Sequence, residues 1–315
     1  MTLTDSRGVQ AAAGSAIAPR LLAVWMVWGS TYLGLAVLVR TLPPLLANGM
    51  RFLIASLILA ALISVLRGPG SLRVTLRQLR GAATLGVALL GVGIGTVSMA
   101  ERFVPSGIAA LLVSVMPLWI ILFRFSAGDR PSRLTLAGIF IGIGGLVAMM
   151  LPGGTHPIAG DESDVIWWMV AILCSSFCWA FFSWRSTKFT LPKDPLTTSV
   201  YEMAAAGLVL TIVGSLMGQR IDPTTVSRSS WIALVYLIAA SIIAYTAYVW
   251  LLDNAPISLV ATYAYVNPVV AVFLGWLIVG EPITLDVIIG LTIVVGGVIL
   301  VVSGERKPVL IEEPS

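Results

Sequence analysis

Ten apolar runs, each near twenty residues long, succeed one another from Leu21 to Ser303, and nothing else in the chain constrains its fold as tightly. Helical at 1.5 Å per residue, about 20 residues cross the ~30 Å hydrocarbon core of a bilayer. The runs cover approximately 21–40, 45–66, 80–100, 105–125, 134–151, 165–185, 197–217, 231–252, 256–279 and 284–303. They show no two-residue alternation and far exceed the ~10 residues of a barrel strand, so helices are expected rather than a barrel. Only 11% of the residues are charged and 58% are hydrophobic, whereas a soluble domain is about a quarter charged. The expected class is an all-α polytopic membrane protein with ten transmembrane helices.

The runs also repeat. Pro105, Pro117 and Pro131 recur at one offset, 151, as Pro256, Pro268 and Pro282; one residue later, Gly138, Gly144 and Gly145 fall on Gly290, Gly296 and Gly297. Proline and glycine have backbone effects that other residues do not reproduce, so their shared spacing marks a duplication. At the same offset Trp28 falls on Trp179, Ala55 on Ala206, Leu57 on Leu208 and Leu59 on Leu210. Each copy holds five helices, an odd number, so the second enters the membrane the other way up. The expected layout is a disordered cytoplasmic tail (1–20), a first repeat (21–151), an external linker (152–164), a second repeat (165–303) and a cytoplasmic tail (304–315).

Charge sets the orientation. With both termini inside, fourteen Lys and Arg fall in inner segments and four (Arg40, Arg102, Arg220 and Arg228) in outer loops, a positive-inside bias. The basic residues are scattered through short loops, so they signal topology, and no nucleic-acid partner is expected. Asp129-Arg130-Pro131-Ser132-Arg133 lies inside, while its counterpart Gly280-Glu281-Pro282-Ile283-Thr284 has no positive charge and lies outside. Inverted repeats of this kind are a mark of secondary transporters, with the site near the midplane where the units meet.

Trp28-Gly29-Ser30-Thr31-Tyr32, Arg51-Phe52, Pro105-Ser106-Gly107-Ile108-Ala109-Ala110 and Tyr263-Ala264-Tyr265-Val266-Asn267-Pro268 together resemble the EamA domains of the drug/metabolite transporter superfamily, more narrowly the YedA/PecM-like exporters. The resemblance spans two units, roughly 23–150 and 168–302. It implies ten helices, cytoplasmic termini and export of small metabolites, with amino acids, pigments and xenobiotics among the substrates of relatives. Where the resemblance leads one to expect a polar residue between Gly93 and Gly95, this chain has Ile94.

A solute held at the midplane needs polar groups facing a cavity, because hydrocarbon satisfies none of them. Tyr263 and Asn267 share a helix face and precede Pro268, which frees the carbonyl of Ala264 one turn back. The two uses open to such a segment are a cavity wall with a hinge or a packed kink. Ser114 and Pro117 are the counterpart in the first unit and take the same two readings. Ser241, Tyr245 and Tyr248 form one stripe at i, i+4 and i+7 and are expected to line the cavity, as are Trp28, Tyr32 and Trp179.

Arg51 and Glu202 are ionisable groups inside spans and therefore functional candidates. They match across the repeats but lie about six residues, ~9 Å, from opposite faces, so each is expected to have its own partner. Glu202 is the candidate proton-sensitive or amine-binding carboxylate. Cys174 and Cys178 read as small core residues, and the single histidine, His156, builds no metal site. No Gly-rich phosphate loop appears, so neither ATP drive nor a cofactor is expected. A nucleophile-plus-base pattern is likewise missing, which ranks an enzyme or a sensor last. The expected partners are a small-molecule substrate, the lipid bilayer and the proton as candidate coupling ion, with the chain a monomer or weak homodimer. An exporter ranks first, an importer or exchanger second, and a passive pore after both.

Overall fold

Two prolines 151 residues apart start the two helices on which the fold is built. Pro44 opens α2 (Pro44–Arg67) and Pro195 opens α8 (Pro195–Leu216), each at the first turn, where a missing N–H costs nothing. Asp194 caps α8 by accepting from the Thr197 amide at 3.1 Å, and the Gln219 side chain accepts from the Leu45 and Leu46 amides of α2 at 3.1 and 3.2 Å. Beyond the helix ends, Gly68 (φ 81°) and Gly218 (φ 77°) take the left-handed conformation that glycine adopts without strain.

The computed structural model describes residues 16–104, 106–129, 131–150, 162–274, 277–278 and 285–305. The rest of the expected tails and linker, and with them Pro105, Arg130, His156 and the turn Gly280–Thr284, lie outside the described residues. The remaining helices are α1 (Ala16–Leu38), α3 (Leu76–Ala100), α4 (Ser106–Val113), α5 (Met116–Ser126), α6 (Arg133–Met150), α7 (Glu162–Arg185), α9 (Arg228–Asn254), α10 (Ile257–Val260), α11 (Tyr263–Leu274) and α12 (Leu285–Glu305). The described residues are helical with no strand, and six of these helices are long and apolar enough to cross a membrane: α1, α2, α3, α7, α8 and α9. Three carry a π-helical stretch, Val24–Trp28 in α1, Val87–Ile94 in α3 and Ser241–Tyr245 in α9.

Two expectations need correction. The first helix begins at Ala16, inside the stretch expected to be a disordered tail. Arg20 belongs to it, with Nη1 donating to Ala16 O at 2.9 Å and the guanidinium 4.2 Å from the Trp250 ring centre. The runs 105–125 and 256–279 are not single helices: the first breaks at Ser114–Val115 between α4 and α5, the second at Ala261–Thr262 between α10 and α11. Pro117 has no N–H to offer the carbonyl of Val113, so the ladder cannot continue through that turn.

Burial follows the duplication. Trp28 and Trp179 are 7% and 8% exposed, Ala55 and Ala206 both 0%, Leu59 and Leu210 2% and 4%, whereas Leu57 and Leu208 are 68% and 55% exposed. Large aliphatic side chains pointing outward on both helices match a lipid surround, in which apolar surface is at no disadvantage. Equivalent helices also pack on each other. Along α2 and α8, Leu45 faces Gly214, Gly49 faces Thr211 and Leu53 faces Gly207. Along α6 and α12, Thr135 faces Gly304, Gly138 faces Val301, and Gly142 faces Gly297. Numbers rise on one helix as they fall on the other, so both pairs are antiparallel. Glycine lets the backbones meet: a methyl on Gly138 would stand 2.6 Å from Gly297 O. In α3, Gly93 is pressed by the Trp179 ring and Gly95 by Leu210, whereas Gly91 has only Val87 of its own helix nearby.

Candidate functional site

Trp28 closes the π-helical turn of α1 and stands at the centre of an aromatic cluster. Its ring centre lies 4.8 Å from Tyr248, 5.0 Å from Tyr263, 5.7 Å from Trp179 and 6.5 Å from Tyr245. Trp28 and Trp179 are the residues that the duplication equates, and they meet edge to face. The polar edges of these rings bond to each other. Trp179 Nε1 donates to Tyr248 Oη at 2.9 Å, and that hydroxyl pairs with Ser183 Oγ at 2.5 Å. Such pairing meets the requirement that a buried Trp or Tyr find a partner for its polar tip.

Beside the cluster lies a cavity of about 50 Å³, room for a few waters at ~10–15 Å³ each. Trp28, Thr31, Tyr32 and Leu35 of α1 line it, with Gly93, Ile94 and Val97 of α3, Val113 and Met116 flanking the break in the fourth run, Ser175, Ser176 and Trp179 of α7, and Tyr263 and Asn267 of α11. Of the expected lining residues, Trp28, Tyr32, Trp179, Tyr263 and Asn267 are brought together on it. Ile94 gives an aliphatic wall where the resemblance had suggested a polar group. Ser175 and Ser176 carry no expectation from the sequence; their one signal is a serine pair inside an otherwise apolar run.

The other four expected lining residues stand behind the wall. Ser241 Oγ accepts from Arg51 Nε at 2.7 Å. Tyr248 holds Trp179, as described, and Tyr245 packs against both Trp28 and Tyr248. Ser114 Oγ lies 2.6 Å from Ala264 O, the carbonyl that Pro268 deprives of its helical donor, and 2.8 Å from Ala110 O. The kink in α11 is therefore tied to the break between α4 and α5. With the Asn267 amide oriented by its hydrogen-bond network, its nitrogen donates to Tyr263 O at 3.0 Å and Trp25 O at 3.2 Å, and the Tyr32 hydroxyl faces the same side chain. Tyr263 Oη reaches Met116 Sδ at 3.1 Å.

The two intramembrane charges lie apart. Arg51 falls between Gly49, which faces Thr211, and Leu53, which faces Gly207, so Glu202 is at least five residues, ~7 Å, further along α8. Arg51 is 2% exposed and, besides Ser241, donates to Asn48 Oδ1 at 3.2 Å. Glu202 is 1% exposed and packs where a methyl on Gly86 would strike its backbone. Its Oε2 and the Tyr245 hydroxyl face each other, yet neither completes a hydrogen bond, and Asp253 acts on the same carboxyl. The arrangement offers an aromatic chamber with an amide and hydroxyls on one side and a buried carboxylate beyond one aromatic layer. It can hold a small amphipathic solute. Among the described residues, no acid, base and nucleophile converge in it.

A family model described as "EamA-like transporter family" matches the chain twice, at residues 18–151 and 166–303. The uncharacterized inner membrane transporter YedA of Escherichia coli K12 is 39% identical over 296 residues, which is 92% of this chain and 93% of YedA. An uncharacterized transporter of Archaeoglobus fulgidus is 26% identical over 91% of this chain and 98% of its own length. The uncharacterized transporter YoaV of Bacillus subtilis is 21% identical over 89% of this chain and 94% of its own length. A solved crystal structure superposes on 93% of this chain and 98% of its own, with a TM-score of 0.73 at 19% identity.

Proposed function

The chain belongs to the EamA-like transporter family, and from that premise we propose that it is a secondary active transporter exporting small metabolites across the bacterial cytoplasmic membrane by alternating access. Amino acids, their analogues and related amphipathic compounds are the proposed cargo. The inner-membrane location follows that of YedA, an inner membrane transporter. Counting α4–α5 and α10–α11 as one crossing each gives ten spans, five to each family match. The antiparallel packing of α2 on α8 and of α6 on α12 supports reading the two halves as inverted repeats.

One observation carries the proposal: the Trp28 and Trp179 rings, equated by the duplication, touch each other beside a cavity built from both halves. Two residues related by a pseudo-twofold axis meet only near that axis, which is where inverted-repeat carriers bind their cargo. With room for a few waters, the cavity would take an amphipathic solute as the walls contributed by the two halves part, which is how a carrier loads. Glu202, buried beyond the aromatic layer, is the proposed acceptor for an ammonium group of the cargo.

The test is a growth-toxicity panel of amino acids, analogues and dyes in cells with and without overexpression, followed by efflux of each hit. Overexpression should raise tolerance to at least one compound, with saturable efflux that Trp28→Ala and Asn267→Ala reduce severely. Flux rising linearly with concentration, or unchanged by both substitutions, would refute the carrier.

A further inference from the structure

Glu101 is a charge for which the cavity has no use. It stands in the turn that ends α3, 3% exposed, and both of its carboxylate oxygens lack a hydrogen-bond donor. Its amide bonds to Val97 O at 2.9 Å, which places it at a helix C-terminus, where the macrodipole disfavours negative charge. Burial pushes its carboxyl well above the ordinary carboxylate range, while the Arg51 guanidinium draws it back. A native fold leaves such a group unsatisfied only rarely, and the neighbours here are specific. Arg51 of α2 and Tyr32 of α1 lie within electrostatic reach of it without bonding to it, while Arg102, next in sequence, is exposed. Tyr32 lines the cavity. Arg51 has five N–H donors; one holds Ser241 in the π-helical stretch of α9 and another holds Asn48. The Tyr236 hydroxyl also bears on the guanidinium.

We propose that Glu101 binds the coupling proton of the carrier and that Arg51 is the partner through which its charge state is felt. The inference rests on the transporter reading above and supplies that carrier with an ion and a site. With the proton on Glu101, the carboxyl is neutral and Arg51 stays on Ser241, bracing α2 against α9 as seen here. Loss of that proton to water leaves a carboxylate beside a guanidinium. The pair attracts, Arg51 turns from Ser241, and the brace between α2 and α9 at that end of the cavity is released. By the charge bias of the loops this end faces the outside, so the proton enters from external water. In the opposite state it leaves past Tyr32 into the cavity. One O–H bond forms and later breaks, with water as donor and acceptor.

The test reads the proton itself, on purified full-length protein in lipid nanodiscs, by infrared spectroscopy titrated across about pH 5 to 9, a range in which an unperturbed carboxyl near pH 4 shows no protonated band. The wild type should show the C=O stretch of a protonated carboxyl in the neutral range. Glu101→Gln should remove that component, Glu202→Gln should leave it, and Arg51→Gln should move its loss to higher pH by removing the charge that favours ionisation. Glu101→Asp keeps a carboxyl and should keep a shifted band, which covers the case in which the glutamine variant does not fold. A band unchanged in Glu101→Gln would overturn the proposal. The measurement needs no substrate. A protein that proved to move no solute would still be judged here, and normal efflux from a chain lacking the band would sink the proton site alone.

Discussion

Ser114 and Ala264 show how one hydroxyl settles the conformation of two helices. Pro268 leaves the Ala264 carbonyl without its helical donor, and Ser114 supplies one from the facing segment at 2.6 Å. Removing that hydroxyl orphans a buried carbonyl, at a cost of about 0.5–2 kcal/mol. Ser114→Ala should therefore lower the detergent unfolding midpoint of the purified protein. At Gly93 the constraint is space. A methyl there would collide with the Trp179 ring, whereas a methyl on Gly91 would find only Val87, 3.7 Å away. Gly93→Ala should displace Trp179 and cut efflux several-fold, an overpacking effect of about 1–3 kcal/mol, while Gly91→Ala should transport normally. Equal efflux from the two variants would separate the Trp179 ring from transport. The freed carbonyl was legible from Pro268 alone, because a missing N–H has a fixed address. Its donor was not, since Ser114 lies 150 residues away. Glu101 was missed for a related reason: at the end of an apolar run it reads as a loop charge, and only the packed neighbours show that water does not reach it.

Two of the three interrupted helices, α1 and α3, line the cavity, and the third, α9, stands behind its wall. The π-helical stretch of α1 ends on Trp28, that of α3 on Gly93 and Ile94, and that of α9 on Tyr245. Stretches of this kind free backbone groups and recur at functional sites. Periodicity could not reveal them, because one extra residue per turn barely disturbs an apolar pattern. The stripe Ser241, Tyr245 and Tyr248 shows the same limit. Its spacing is helical as expected, but the face looks toward Arg51, Glu202 and Ser183 rather than the cavity. At this scale the kink in α11 makes a distinctive prediction. Pro268→Ala restores an N–H to the Ala264 carbonyl, so the Ser114 hydroxyl becomes redundant there. The double variant should be less destabilised than the sum of the two single variants, with a coupling of about 0.5–2 kcal/mol in unfolding free energy. Strict additivity would mean that the hydroxyl does not serve that carbonyl.

At the scale of the whole molecule, two matches to one family model, buried Trp28 and Trp179 against exposed Leu57 and Leu208, and antiparallel pairing of α2 with α8 describe one unit used twice. The duplication was legible because proline and glycine kept their spacing, and the charge bias implied inversion. How the halves embrace was not, since contacts between them depend on side chains far apart in sequence. The central claim, that the halves stand in opposite senses about one aromatic chamber, is tested by the sidedness of the loops that follow two matched helices. Gly70 follows α2 and Arg220 follows α8, and both are exposed. In a background with Cys174 and Cys178 replaced, Gly70→Cys and Arg220→Cys would be treated in intact cells with a membrane-impermeant thiol reagent. Arg220→Cys should label at once and Gly70→Cys only after the membrane is opened; labelling of both from the same side would contradict the inverted arrangement.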